Sequence, residues 1–327
     1  MRRRELIEFA GTAFFAWPLV ARAQQQDKIV RLGFLGFGTP VAAASRVEAL
    51  RAGLRDLGYV EGKNLVIEFR WSGTVEQMQK AAAELARMKV DIIFATSSTE
   101  TGAARQATKT IPIVFGSHAD PVATGHVASL ARPGGNITGL SVLLSELTAK
   151  ALEILKELVP EAKRFGVLSS PTVPSHVPIM RAAEAAAEKL GVALHPVLVG
   201  AVEEFEEAFA KIARADVQAV FVAASSLTIR SRPDLLAQLA LKFRLPSMFG
   251  TRDNVAAGGL MSYAPDPREL FRGSAIYIDK ILKGSKPADL PVEQASQYQL
   301  TINLKAAKAL DLTLPPALLA RADEVIE

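Results

Sequence analysis

Short apolar runs alternate with stretches whose apolar residues recur three and four apart, and this rhythm constrains the fold more than any other feature. Ile29-Val-Arg-Leu-Gly-Phe-Leu35 is nearly continuous in apolar residues, as expected of a strand covered on both faces. Ala42 to Leu57 follows, with Val47, Leu50, Leu54 and Leu57 on one face of a helix, and Gly58 ends it. Leu65–Phe69 and Val90–Ala95 read as further strands, with helices over 75–88 and 99–108. Ile113–Phe115 reads as a fourth strand. Strands alternating with helices imply a doubly wound parallel sheet.

The rhythm restarts after a tight turn at Pro133-Gly-Gly-Asn136. Strands are expected at 164–168, 192–199, 219–223 and 246–249, separated by helices at 145–158, 177–190, 202–214 and 233–243. Pro196 places the second of these strands at an edge or a bend. The tail adds a strand at 260–263, a helix from Pro267 to Leu282, a strand at 299–303 and a last helix at 304–310. The fold class is therefore α/β, with two doubly wound parallel-sheet lobes joined by a multi-segment hinge. The expected division is an export signal at 1–23, a first lobe of 24–140 plus about 263–297, and a second of 141–262 plus about 298–327.

The N-terminus carries the export signal. Arg2-Arg3-Arg4 is its charged region, Phe9 to Val20 its short apolar stretch, and Ala21-Arg22-Ala23 a small-x-small cleavage site. Arg3-Arg4 also fits a twin-arginine route. The apolar stretch is too short for a membrane anchor and Pro18 interrupts it. The chain has no cysteine, which excludes disulfides, thiolate metal sites, a cysteine nucleophile and a lipidated N-terminal cysteine. A periplasmic address is the simplest reading. The signal, with Arg2, Arg3, Arg4 and Arg22 against Glu5 and Glu8, supplies half of the net charge of +4. The remaining basic residues are scattered among acidic ones, so no nucleic-acid footprint is present.

The strand exits share a composition of small hydroxyls, glycines and a few charges, and ligands gather at such sheet edges. Gly38 and Thr39 follow the first strand, Ser97, Ser98 and Thr99 the third, and Ser117 and Asp120 the fourth. In the second series Ser225, Ser226, Arg252 and Asp253 hold the corresponding places. Hydroxyls and N–H groups at a helix start suit a carboxylate, with Thr96-Ser-Ser-Thr99 the best placed, and Asp120 or Asp253 suits an ammonium group. Ser117, His118 and Asp120 lie too close together on one loop to form a serine-histidine-aspartate triad, and no G-x-S-x-G elbow occurs. Gly33, Gly36 and Gly38 follow the order G-x-x-G-x-G rather than the dinucleotide-binding order, and no phosphate-binding G-x-x-x-x-G-K-[ST] is present. His126, His176 and His195 show no metal-ligand spacing. No cofactor is expected.

Several segments carry a resemblance. Gly53-Leu-Arg-Asp-Leu-Gly-Tyr-Val-Glu-Gly62 with Asn64, Ile67-Glu-Phe-Arg-Trp71 and Ile111-Pro-Ile-Val-Phe115 with Asp120-Pro121 are part of it. Ser129-Leu-Ala-Arg-Pro-Gly-Gly-Asn-Ile-Thr-Gly139 is its most specific piece, and Asn303 to Leu310 with Leu314-Pro-Pro316 continue it. The chain resembles the ABC-transporter solute-binding proteins of the family that includes tryptophan- and tyrosine-binding members, a type I periplasmic binding fold. The resemblance implies a monomeric receptor, not an enzyme. It would close on a small solute, with an aromatic or branched amino acid as the first expectation, and deliver it to an ABC permease in the inner membrane. The alternatives are a periplasmic hydrolase using His118 and Asp120, or a ligand-sensing domain for a membrane signalling partner.

Overall fold

A computed structural model describes residues 29–224 and 232–327. The expected export signal and the positions Ser225 and Ser226 lie outside these residues.

The first lobe is built on a wholly parallel sheet. Its strands are β1 (Val30–Phe37), β2 (Leu65–Ser72), β3 (Ile92–Ala95), β4 (Ile113–His118) and β5 (Ile137–Ser141). They are ordered β2-β1-β3-β4-β5, with the two-residue β11 (Glu293–Gln294) beyond β5. The continuous apolar character of β1 has a direct cause. Phe34 and Leu32 face a cluster completed by α1 (Ala44–Asp56), through Val47, Leu50 and Leu54. Leu35 faces the opposite cluster, completed by α2 (Val75–Arg87) and α3 (Ser98–Ala107) through Met78, Leu85 and Ala104. Both sheet faces are covered, so polar alternation is absent.

The second lobe repeats the plan. Its strands are β6 (Arg164–Ser169), β7 (Ala193–Leu198), β8 (Ala219–Val222), β9 (Ser247–Phe249), β10 (Met261–Ala264), β12 (Gln299–Asn303) and β13 (Glu324–Ile326), in the order β7-β6-β8-β9-β10-β12-β13. Helices α4 (Leu144–Leu158) and α5 (His176–Leu190) cover one face, and α6 (Phe205–Arg214) and α7 (Pro233–Lys242) the other. Pro196 sits on β7, the edge strand, where a missing N–H is tolerated. The sheet departs from a wholly parallel one at β12, which pairs antiparallel with β10. Both strands connect to the first lobe at the same sheet edge, one leaving through it and the other entering, so they run in opposite directions.

The chain crosses between sheets three times: after β5, after β10 and between β11 and β12. At the first crossing Leu143 adopts a left-handed backbone, with φ of 41°. At the second, Asp266 Oδ1 accepts from the N–H of Arg268 at 2.8 Å and caps α9 (Pro267–Leu282). Helix α9 returns to the first lobe and packs on α1, where the Tyr59 hydroxyl donates to Asp279 Oδ1 at 3.0 Å.

Three local expectations change. Gly116, Ser117 and His118 are not exit loop: β4 continues through them, with a register shift between Phe115 and His118. Arg252 and Asp253 open a short helix, α8 (Arg252–Ala256), rather than lying in a loop. The short elements β11, β13, α10 (Leu304–Ala309) and α11 (Pro316–Ala320) complete the tail; of these only α10 is anticipated by the apolar pattern.

Candidate functional site

The carboxyl edges of the two sheets face one another across a cavity of about 90 Å³. A single water needs only ~10–15 Å³, so the space suits a compact organic solute. The first lobe contributes Ser97, Ser98 and Thr99 from the start of α3, and Ser117 from the end of β4. The second contributes Gly250, Thr251 and Asp253, from the exit of β9 and the first turn of α8.

Not every expected residue lines this cavity. Gly38 and Thr39 stand away from it: the Gly38 N–H donates to Ser72 O at 2.8 Å, and the Thr39 hydroxyl accepts from Ala42 N–H at 3.3 Å. Asp120 does not line it either. Its Oδ1 accepts from the Ala123 N–H at 2.9 Å and its Oδ2 from the Ser145 hydroxyl at 3.2 Å. Arg252 does not line the cavity and forms a two-pronged ion pair with Glu324 of β13. That contact holds the Glu324 carboxyl below its usual range, the Arg252 hydrogen bond being the larger cause.

Other lining residues carry no polar exit signature and are missed by it. Arg46, on α1 and buried, reaches the cavity. Val142 and Leu144 of the first crossing, Leu270 and Phe271 of α9, and Val173 and Ser175 ahead of α5 supply most of the remaining wall. Arg46 sits in an otherwise ordinary amphipathic helix. A charged residue on that helix's buried face is the one signal in the sequence that points to it.

A buried polar network lies behind the start of α3. Glu100 is fully buried, and its carboxylate accepts from the Thr96 hydroxyl at 2.9 Å and from the Ser97 hydroxyl. Ser97 precedes the helix but its side chain does not cap it. Ser98 Oγ lies 3.2 Å from His118 Nδ1 and accepts from the Ala119 N–H at 3.0 Å. His118 Nε2 lies 2.7 Å from His126 Nδ1. His118 titrates well below the usual histidine range, first through burial and then through His126. His126 is lowered to about 4, by burial and then by Arg105. Both rings are neutral near pH 7.

This network is not a catalytic triad. A triad needs a serine on one ring nitrogen and a carboxylate on the other. Here the second nitrogen of His118 meets His126, and Asp120 approaches the ring with its backbone N–H, at 3.1 Å from Nδ1. Among the described residues, no group of three or more His, Asp or Glu is placed to hold a metal ion.

Comparison with known proteins agrees with this architecture. The family model for ABC transporter substrate binding proteins matches residues 41–326. A tyrosine-binding protein of Clostridioides difficile (strain R20291) is 28% identical over 260 residues, spanning 79% of this chain and 74% of the relative. The crystal structure of an ABC domain from Streptococcus pneumonia in complex with L-Trp superposes with a TM-score of 0.85 at 26% identity, covering 91% of this chain and 99% of that one. A conserved domain protein from Vibrio cholerae O1 biovar El Tor gives the same TM-score of 0.85 at 28% identity, covering 91% of this chain and all of that one. The matched residues include every residue that lines the cavity and most of both lobes, and the chain belongs to the ABC transporter substrate-binding protein family.

Proposed function

We propose that this protein is the solute receptor of an ABC importer, exported to the periplasm, which captures an α-amino acid between its lobes and delivers it to an inner-membrane permease. The observation that carries the reading is that Arg46 from the first lobe and Asp253 from the second both line one cavity. A zwitterion is complementary to such a wall. Its carboxylate faces the guanidinium, and its ammonium faces the aspartate. Val142, Leu144 and Phe271 line the same space and provide apolar surface for an aromatic or branched side chain. Relatives that bind tyrosine and tryptophan support this solute class.

Capture follows from the hinge. Solute contacts with both lobes stabilise the closed arrangement over the open one, and three crossing segments allow rotation without separate unfolding. No bond is made or broken. Mass spectrometry of solute released from gently purified protein tests the reading. A free amino acid at one per chain is expected. A sugar or a nucleoside at that stoichiometry overturns the solute class and leaves the family membership intact.

A further inference from the structure

We propose that the His118–His126 pair fixes the hydroxyl of Ser98 with its proton turned away from the cavity, so that Ser98 meets the solute as a hydrogen-bond acceptor. The solute group on this wall is then a donor, such as an ammonium. The proposal deepens the amino-acid reading and rests on it for the identity of the solute.

The argument begins at Asp120. Its backbone N–H donates to His118 Nδ1 at 3.1 Å, and a peptide N–H can only donate. Nδ1 therefore bears the lone pair, and in the neutral ring the proton resides on Nε2. The Ser98 hydroxyl, 3.2 Å from the same Nδ1, must also donate to it, and the two donors share one lone pair. The Nε2–H is aimed at His126 Nδ1 at 2.7 Å, so that nitrogen accepts and the outer ring carries its proton on Nε2, facing Gly102 of α3. Each neutral ring thus has one assignment: His118 takes its from the Asp120 N–H, and His126 takes its from His118.

The consequence for Ser98 is direct. Its proton is committed to His118, and one of its lone pairs accepts from the Ala119 N–H. What it offers a partner in the cavity is its remaining lone pair. Ser97 has the same polarity, since its proton goes to the fully buried Glu100. Ser97 and Ser98 therefore repel a carboxylate oxygen placed against their hydroxyls and favour N–H. A carboxylate on this side of the cavity is left to main-chain N–H groups and Arg46. His118 acts here as a positioning residue, through Ser98.

The test has two arms on the full mature chain. Nitrogen-15 NMR of the four histidines, assigned with single His→Gln variants, reads the tautomers without any solute. His118 is expected with a bare Nδ1 and a protonated Nε2; a protonated Nδ1 overturns the proposal. The second arm titrates L-tryptophan, tryptamine and indole-3-propionate by calorimetry. Ser98→Ala is expected to weaken the two amines about tenfold, the loss of one charge-assisted hydrogen bond, and to leave indole-3-propionate unchanged. A selective loss for indole-3-propionate overturns the proposal. His118→Phe should erase this discrimination while His118→Asn, which keeps an acceptor, should retain it; equal behaviour of the two variants contradicts a positioning role. If none of the three compounds binds wild type, the amino-acid reading falls, and the nitrogen spectrum still decides the proton order.

Discussion

The hydroxyl of Ser145, in the first turn of α4, donates to Asp120 Oδ2 at 3.2 Å, tying the loop after β4 to the first helix of the second lobe. The same carboxylate caps the turn at Ala123. Asp120 therefore holds the first crossing in place. Asp120→Ala is expected to cost about 1 kcal/mol of stability, from the lost cap and hydrogen bond, measured by urea unfolding. A change of similar size should appear with Ser145→Ala. Solute affinity should shift far less than with a cavity residue such as Asp253.

Gly139 has no tolerance for a side chain. It lies in β5 with φ of 144°, and a Cβ there would come within 2.1 Å of the Phe115 carbonyl oxygen in β4. Gly139→Ala should destabilise by on the order of 3 kcal/mol or more, through backbone strain and displaced strand pairing. Circular dichroism during thermal unfolding reads the effect. Gly135→Ala, where a Cβ meets nothing within 4 Å, is the control and should be near neutral.

The histidine pair makes stability fall in acid. His126 is held down to about 4 in the folded chain, against ~6.5 when unfolded. Below the unfolded value the unfolded chain binds a proton that the folded chain refuses, so stability is lost as pH drops from about 6.5 toward 4, by up to ~1.4 kcal/mol per unit. His118, lowered in the same direction, adds to this slope. Urea midpoints between pH 7.5 and 4.5 should therefore decline more steeply for wild type than for His126→Gln. Parallel curves would remove the histidine pair as the cause.

Much of this architecture is legible in the sequence because strands covered on both faces cannot hide. β1, β3 and β8 stand out as apolar runs, and the edge position of β7 is announced by Pro196. The short tail strands are not legible, since β11 and β13 are held by pairing with β5 and β12 rather than by any pattern of their own. The site divides the same way. Polar residues directly after strands, such as Ser97, Ser98 and Thr99, are found by composition. Arg46 comes from a helix, and Phe271 from a segment more than 150 residues beyond β4 that the second crossing brings back. The contact between His118 and His126 depends on the loop after β4 folding back on α3, which residue spacing does not reveal.

Arg46 and Asp253 should carry the recognition of charge from opposite sides of the cavity. Asp253→Asn is expected to weaken an α-amino acid by roughly tenfold to a hundredfold, the range for a hydrogen bond to a charged group. The fold should be unaffected, because Asp253 is exposed. An unfolding curve alongside the binding isotherm separates the two effects.

Calorimetric titration of the mature protein with L-tyrosine, L-tryptophan and the branched amino acids tests the central claim most directly. The account predicts saturable binding of at least one of them at one per chain, weakened by Asp253→Asn and by Arg46→Met. Saturable binding of a solute without an α-amino group, with no heat from any of these amino acids, would contradict it.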